Sequence, residues 1–295
     1  MKIVFYFLLL GIFWFMQGCR SDNGMSDAYG NFETDDYIIS AQVQGIVNDF
    51  KIREGITLGK GQVVGNIDST QLFLKVKQLE AQKRTVASRI NNLDAEVQVL
   101  LEQRAVLLKE KQRIENMLKE DAVPQKQLDD VNGQLDVIQG RINATKTQKA
   151  NIYNELDGLT SRVLQIRDQL SKCTIINPAE GKVLEVYIKE NELAMPGKPL
   201  YKMANLNKMY LRAYVSGALL PHVKLGQDAE VIFDLNNEEN QVLPGEVVWI
   251  AEEAEFTPKI IQTKEERVNL VYAVKILVNN DGRLKIGMPG EVNFK

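Results

Sequence analysis

The feature that most constrains this chain is a pair of heptad repeats in its middle third. From Leu72 to Leu118, apolar residues recur at alternating steps of four and three, and eleven of the fourteen positions are apolar. A second series runs from Leu128 to Leu170 and is apolar at eleven of its thirteen positions. A 3.5-residue period kept over this length is typical of a left-handed coiled coil and not of an ordinary globular helix.

The two series also match each other. If the chain folds back near Ala122, opposed positions have numbers that sum to 245 or 246, so that Leu93 faces Ile152. Two arms in one register favour a single antiparallel hairpin over two independent coiled coils. We therefore predict an α-hairpin over residues 70–172, with arms about 70 Å long and a tip at residues 119–125.

Four cations lie on the predicted seam: Lys83, Arg104, Lys111 and Lys149. We expect their aliphatic stems to pack in the seam while their charges reach outward and fix the register. The alternative is that some of them face a neighbouring subunit.

A duplicated β unit flanks the hairpin. Residues 45–67 and 181–203 align without a gap at a constant offset of 136, and Gly61 matches Gly197. Each copy has the pattern of strand, turn and strand, and neither is long enough to form a core alone. Together they predict a small β-sandwich of quasi-twofold symmetry, with a first half at residues 38–69 and a second at 173–206.

The N-terminus predicts export from the cytoplasm. Lys2 precedes an uncharged run that ends at Gly18, which is typical of a secretory signal peptide over residues 1–18 and is too short for a comfortable membrane span. The Gly18-Cys19 junction resembles a bacterial lipobox, so we expect Cys19 to carry lipid and residues 19–37 to form a flexible tether. A plain signal peptide or a retained membrane anchor is the alternative.

The C-terminal part, residues 207–295, predicts a small β-barrel. Pro and Gly punctuate its apolar runs, and we expect corners at Pro244-Gly245 and Pro289-Gly290 and a hairpin turn at residues 279–282. The predicted strands cover residues 209–216, 229–235, 245–254, 270–278 and 291–294.

The composition argues against several chemistries. A formal charge of −3 gives no reason to expect a nucleic-acid partner, and one His with two Cys cannot supply a four-ligand zinc site. Residues 55–61 are similar to a phosphate-binding loop but have one residue too few between the glycines. We expect His222 to be a surface residue. No catalytic, metal or cofactor site is predicted.

The layout resembles a known family. Residues 54–68, 176–206 and 284–292 are the most specific segments of a resemblance to the HlyD-like periplasmic adaptor, or membrane fusion, proteins of tripartite efflux pumps. The resemblance covers residues 38–295 and implies an α+β fold: a split lipoyl-like sandwich, interrupted by the coiled-coil hairpin and followed by the barrel. Residues 254–276 look like the branch of the family that serves ABC-type exporters.

The resemblance also implies a function without catalysis. A lipid-anchored adaptor at the inner membrane of a Gram-negative envelope would link a transporter, ABC-type in preference to RND-type, to a TolC-like outer-membrane channel. Several copies, hexamers in the family, would assemble. The alternatives are a type I protein-secretion adaptor, a structural coiled-coil lipoprotein without a transporter, and a carrier with a covalent cofactor on Lys202.

The family resemblance singles out the hairpin tip. In many members the tip follows the pattern Arg-x3-Leu-x6-Ser and docks on the outer-membrane channel. The aligned residues here are Arg113, Met117 and Pro124, so the Arg is kept, the Leu is replaced conservatively and the Ser is lost. With Leu118 and Val123 beside them, these residues form the predicted docking tip.

Overall fold

The computed structural model describes residues 26–234, 240–256 and 270–295. The predicted signal peptide and Cys19 lie outside the described residues, as does most of the segment 254–276. The described chain divides into two compact units, one of residues 38–202 and the other of residues 26–37 with the described part of 203–295. Among the described helices, none combines the length and the hydropathy needed to cross a membrane.

The predicted hairpin is formed by α1 (Thr70–Lys119) and α2 (Gln125–Ser171). Every buried residue of either helix belongs to the predicted heptad series. The remaining positions of the two series are half-buried. Three ion pairs join the helices within two residues of the predicted register. The base half is packed by a continuous apolar cluster of Val76, Leu79, Val86, Leu93, Ile152, Leu159 and Val163.

The predicted sandwich consists of two four-stranded sheets, ordered β2-β9-β7-β4 and β6-β5-β3-β8. Each sheet contains two strands from each half of the sandwich, so each sheet is complete only when both halves pair. The strands are β2 (Asp36–Ser40), β3 (Gly45–Phe50), β4 (Thr57–Leu58), β5 (Val63–Ile67), β6 (Thr174–Ile176), β7 (Gly181–Val186), β8 (Leu193–Ala194) and β9 (Pro199–Ala204).

The hydrogen bonds repeat the predicted offset of 136. The Gly55 N–H donates to the Val183 carbonyl, and the Asn191 N–H donates to the Val47 carbonyl. Gly55 and Asn191 both adopt left-handed backbone, with φ of 86° and 67°. Asn is one of the few residues with a side chain that tolerate this conformation, which explains how it replaces Gly in the second copy.

The other unit is a six-stranded antiparallel barrel. Its strands follow the order β10-β1-β15-β11-β12-β14, β10 pairs with β14 to close it, and β13 adds to β14. The strands are β1 (Ala28–Glu33), β10 (Lys208–Ser216), β11 (Asp228–Asp234), β12 (Asn240–Ile250), β13 (Glu255–Phe256), β14 (Leu270–Asn279) and β15 (Pro289–Phe294), with a short 3-10 helix at Leu220–His222. The core contains Phe32, Met209, Leu211, Val231, Ile276 and Val292.

The predicted tether over residues 19–37 is wrong for the part that the structure describes. β1 is an integral strand of the barrel, between β10 and β15, and its Ala28 and Phe32 are buried. Gly30 is required there, because a Cβ at this position would lie 1.9 Å from the Arg212 carbonyl oxygen. Gly30 therefore serves close strand packing instead of flexibility.

The two predicted corners in the barrel are also wrong. Pro244-Gly245 lies inside β12, and Pro289-Gly290 begins β15. Pro244 pairs with Glu230 of β11, and pairing of β12 with β14 begins only at Gly245. The proline therefore occupies a point where one edge of the strand is unpaired and its missing N–H has no cost.

Candidate docking surface at the hairpin tip

A five-residue turn, residues 120–124, closes the hairpin within the predicted tip. The Asp121 N–H donates to the Leu118 carbonyl at 3.0 Å and the Ala122 N–H to the Met117 carbonyl at 3.0 Å. Asp121 has a φ of 55°, a left-handed conformation that ends α1 as a C-terminal glycine commonly does. The turn thus satisfies the last carbonyls of the helix from within the chain.

Arg113 and Met117 share one face of the last turns of α1, since they are four residues apart. The Arg113 side chain is 70% exposed and its Nη2 lies 2.6 Å from Glu110 Oε1, while Met117 is 38% exposed. The predicted pair is therefore displayed together at the surface. Sequence reasoning missed the carboxylate of Glu110, although its spacing of three from Arg113 is a readable signal.

The other predicted tip residues differ from one another in exposure. Pro124 is exposed and lies one residue before α2 in extended conformation, with φ −74° and ψ 149°. Leu118 and Val123 are half-buried, so they contribute to closing the seam as well as to the surface. The tip offers a small apolar surface, Met117 and Pro124, with a cation beside it.

Of the seam cations, Lys149 is the best defined. Its Nζ lies 2.5 Å from Asp94 Oδ1 on the opposite helix and 5.8 Å from the Tyr153 ring. The hydrogen bond to Asp94 raises the pKa of Lys149. Lys83, Arg104 and Lys111 are half-buried, as expected for packed stems with charges that reach water.

The other residues that were considered for binding or modification lie in turns, in a strand and at the surface. Residues 55–61 contain a turn and β4, Lys202 lies in β9, and His222 is exposed at the end of the 3-10 helix. Within the described ranges, no group of three or more His, Cys, Asp or Glu side chains could hold a metal ion.

A pocket of about 780 Å³ lies at the base of the hairpin, between the sheet that contains β3 and β5 and the ends of both helices. Asp49, Lys51, Phe73 and Cys173 are among its lining residues. Cys173 is 1% exposed and burial raises the pKa of its thiol, as is typical of a structural cysteine.

The barrel displays a cluster that the sequence did not suggest. Lys275 Nζ lies 2.7 Å from Glu33 Oε1 and within 6 Å of the rings of Tyr210 and Trp249. These four residues come from four strands. In the sequence, only the alternation of each residue with buried neighbours indicates that they share one outer face. Of these residue types, Trp and Tyr are enriched at the centres of protein interfaces.

The comparisons with known proteins agree with this architecture, although no family model matches the chain. A UPF0194 membrane protein, from the asrC 5' region of Acidithiobacillus ferridurans, is 24% identical over 294 residues. The match covers 90% of this chain and 86% of that protein.

The crystal structure of MacA from Actinobacillus actinomycetemcomitans matches with a TM-score of 0.61 at 20% identity, over 92% of this chain and 79% of MacA. The periplasmic adaptor protein EmrA matches at 18% identity with a TM-score of 0.49, over 92% of this chain and 97% of EmrA. The predicted α+β architecture, with its sandwich, long hairpin and barrel, is confirmed.

Proposed function

We propose that this chain, whose fold is that of the membrane fusion or periplasmic adaptor proteins, is the adaptor subunit of a tripartite export system. It would link an inner-membrane transporter to an outer-membrane channel. The observation that carries the proposal is the hairpin: two helices of 50 and 47 residues that pack on each other and are closed by an exposed tip. At 1.5 Å per residue it extends about 70 Å from the sandwich.

The function we propose is mechanical, with no reaction catalysed by this chain. A continuous apolar cluster stiffens the base half of the hairpin, and the charged seam positions beyond it keep the register. The tip is thereby held at a fixed distance from the sandwich, as a spacer between two membranes requires. Energy for export would come from the transporter.

The partners we propose follow from the family resemblance. The transporter is ABC-type in preference to RND-type, and the channel is TolC-like. Lipid on Cys19 would hold the chain at the periplasmic face of the inner membrane, and several copies, six in the resembled family, would surround the exported substrate. The outer face of the barrel, with Lys275, Tyr210 and Trp249, is our candidate for the surface that contacts the transporter.

Crosslinking from the tip tests the proposal. We expect Met117→Cys, treated in intact cells with a short thiol-to-amine reagent, to capture an outer-membrane channel protein that mass spectrometry identifies. Ser88→Cys, on an exposed position in the base half of the same helix, is the matched control and should not capture it. Equal capture by both variants, or capture of no channel from the tip, would overturn tip docking.

A further inference from the structure

The pocket at the base of the hairpin has no role in the proposed function. Its volume of about 780 Å³ is within the range of small-molecule sites, about 300–1,000 Å³. Residues of β3, β5 and β6 line it, together with the first turn of α1 and the last turn of α2. A molecule bound there would therefore contact the sandwich and both helices of the hairpin.

The pocket has an apolar part that is open to water. Val63 is 62% exposed and Phe73 is 50% exposed, and both residues line the pocket. Ile176 pairs with Val63 across β5 and β6 and is 52% exposed. Large apolar side chains around one concave site are a favourable surface for the hydrocarbon part of a ligand.

The polar part of the pocket contains a carboxylate whose partner is easily displaced. Asp49 Oδ2 lies 3.2 Å from Lys51 Nζ, and the Asp49 and Lys51 side chains are 50% and 82% exposed. Exposed ion pairs of this kind contribute little free energy. A cation from solution can therefore replace the Lys51 ammonium beside Asp49 at little cost.

A second carboxylate adds to the negative charge at this site. Burial and the Asp68 carboxylate both raise the pKa of the Cys173 thiol, so Asp68 lies close to the pocket lining. Hydrogen bonds from the hydroxyl and the N–H of Thr70 lower the pKa of Asp68, which is therefore ionised at neutral pH.

The Phe73 ring adds an attraction for positive charge. Lys77 Nζ lies 5.5 Å from the centroid of this ring, so the ring already attracts one cation. Lys51 and Lys77 are both exposed, and their long side chains can swing into solvent, whereas the carboxylates of Asp49 and Asp68 are half-buried. A carboxylate beside an accessible aromatic ring is a combination that favours an ammonium ligand.

The second half of the sandwich differs at the equivalent positions. At the offset of 136, Asp49 corresponds to Glu185 and Lys51 to Tyr187. The Tyr187 hydroxyl donates a hydrogen bond to Glu185, so this carboxylate has a neutral partner two residues away. The half of the sandwich that lies beside the pocket thus keeps a carboxylate whose partner is a displaceable cation.

We infer that the pocket at the base of the hairpin is a binding site for a cationic amphiphile, a molecule with an ammonium group and a hydrocarbon tail. The ammonium group replaces Lys51 beside Asp49, and the tail covers the exposed parts of Val63 and Phe73. The inference goes beyond the proposed function and does not depend on it, because the site needs neither a transporter nor a channel.

Protection from alkylation tests the site in full-length protein purified in detergent. Asn66→Cys places a thiol at an exposed position of the pocket lining, and Thr57→Cys is the exposed control in the other sheet of the sandwich. We expect octyltrimethylammonium to slow the labelling of Asn66→Cys by N-ethylmaleimide, by about tenfold at about ten times its Kd, because only the empty pocket reacts. The labelling of Thr57→Cys should not change. Mass spectrometry assigns the label to each cysteine.

The charge of the ligand and of the pocket are varied in turn. Octanoate, which has a similar tail and the opposite charge, should protect Asn66→Cys much less than the cation does. In the Asn66→Cys protein, Asp49→Asn should abolish protection by the cation, whereas Glu185→Gln, at the equivalent position of the second half, should leave it intact. Lys51→Ala should lower the concentration that gives half-protection, because it removes the competing cation. A general loss of folding cannot produce these opposite changes.

Equal protection by octanoate and by the cation would overturn the inference, and so would protection of Thr57→Cys. No protection at any concentration of the cation, or protection that survives Asp49→Asn, would overturn it as well. The experiment uses neither transporter nor channel. Its failure would leave capture of the channel by Met117→Cys untouched, and failure of that capture would leave this binding site standing.

Discussion

The buried Tyr201 hydroxyl donates a hydrogen bond to Asn177 Oδ1 at 2.9 Å, and both residues are 0% exposed. Asn177 Nδ2 in turn donates to the carbonyls of Gly59, at 2.8 Å, and Ala179, at 2.5 Å. The Gly61 N–H donates to the Asn177 main-chain carbonyl. One amide side chain thus fastens a loop of the first sandwich half to the second half, across the point where the hairpin is inserted.

Asn177→Ala should destabilise the sandwich by about 2–3 kcal/mol, because it leaves the buried Tyr201 hydroxyl without its partner and removes two hydrogen bonds to the carbonyls of Gly59 and Ala179. Urea unfolding followed by circular dichroism measures the change. Tyr187→Phe removes a hydroxyl whose carboxylate partner is exposed and should stay within about 0.5 kcal/mol of the original protein. Equal effects of the two substitutions would show that the buried network carries no special stability.

Alkaline stability should depend on Tyr201. Burial raises the pKa of Tyr201 to about 12, whereas a phenol in the unfolded chain ionises near pH 10. The unfolded state therefore releases this proton first, so the contribution of neutral Tyr201 is complete below about pH 10 and is lost as the pH rises to about 12. Tyr201→Phe should be less stable at neutral pH and should lose less stability across this window. An identical slope of unfolding free energy against pH in both proteins would contradict the assignment.

The hairpin was predictable because a coiled-coil seam repeats every seven residues, so each heptad of the sequence indicates the same register. The sandwich was predictable for a similar reason, since its two halves repeat each other and even the left-handed turn at Gly55 recurs at Asn191. The bounds of the tip followed from this register, whereas its docking residues were implied by the family resemblance, and neither tells which tip side chains are exposed.

β1 could not be predicted in the same way, because its partner β10 is about 180 residues away and its Gly30 and Asn31 resemble those of a linker. Only the alternation of Ala28 and Phe32 with polar neighbours signals a strand, over too few residues to stand out. Pro244 was misleading because strand pairing on one side alone, which the sequence does not reveal, is what permits it.

Removing one heptad from each arm should leave a folded but shorter hairpin. Deleting residues 86–92 together with 154–160 takes out opposed seam positions, along with both partners of the Arg89–Glu155 ion pair, and brings the remaining seam back into register. The hairpin shortens by about 10 Å. We expect cooperative unfolding to be retained and export to be lost, as measured by thermal melting and by a transport assay.

The single deletion of residues 86–92 is the control for that change. It shifts the rest of α1 by about 10 Å against α2, so that Leu93 takes the place of Val86 opposite Leu159 and α2 is left one heptad longer than α1 at the tip. The unmatched heptad of α2 exposes its apolar seam positions, so we expect a loss of stability. If the single and paired deletions melt alike, the two arms do not depend on each other for packing.

The proposed lipid anchor predicts the behaviour of Cys19→Ser. We expect the variant to enter the soluble periplasmic fraction or to remain as an uncleaved precursor. The reason is that several acyl chains together anchor a lipoprotein firmly in the membrane, whereas a single acyl chain binds only marginally. Cell fractionation with immunoblotting, in a strain that lacks the transporter, measures this. A variant that is processed and yet stays wholly in the membrane fraction would exclude lipid on Cys19 as the anchor.

Arg113→Asp should abolish export without unfolding the hairpin. The Arg113 side chain is 70% exposed, and its one ion pair, with Glu110, is a surface pair within α1, so the loss of stability should be about 0.5 kcal/mol. At the tip, the reversed charge removes the cation beside Met117 and should greatly reduce capture of the channel by Met117→Cys.

Arg162→Asp, an equal reversal on an exposed position near the base of α2, should leave both export and capture unchanged. Thermal melting, tip crosslinking and export measured on the same three proteins separate the possibilities. If the Arg113→Asp protein melts, crosslinks at its tip and exports like the original, Arg113 is not part of the docking surface. Met117 and Pro124 are then the remaining exposed residues of that surface.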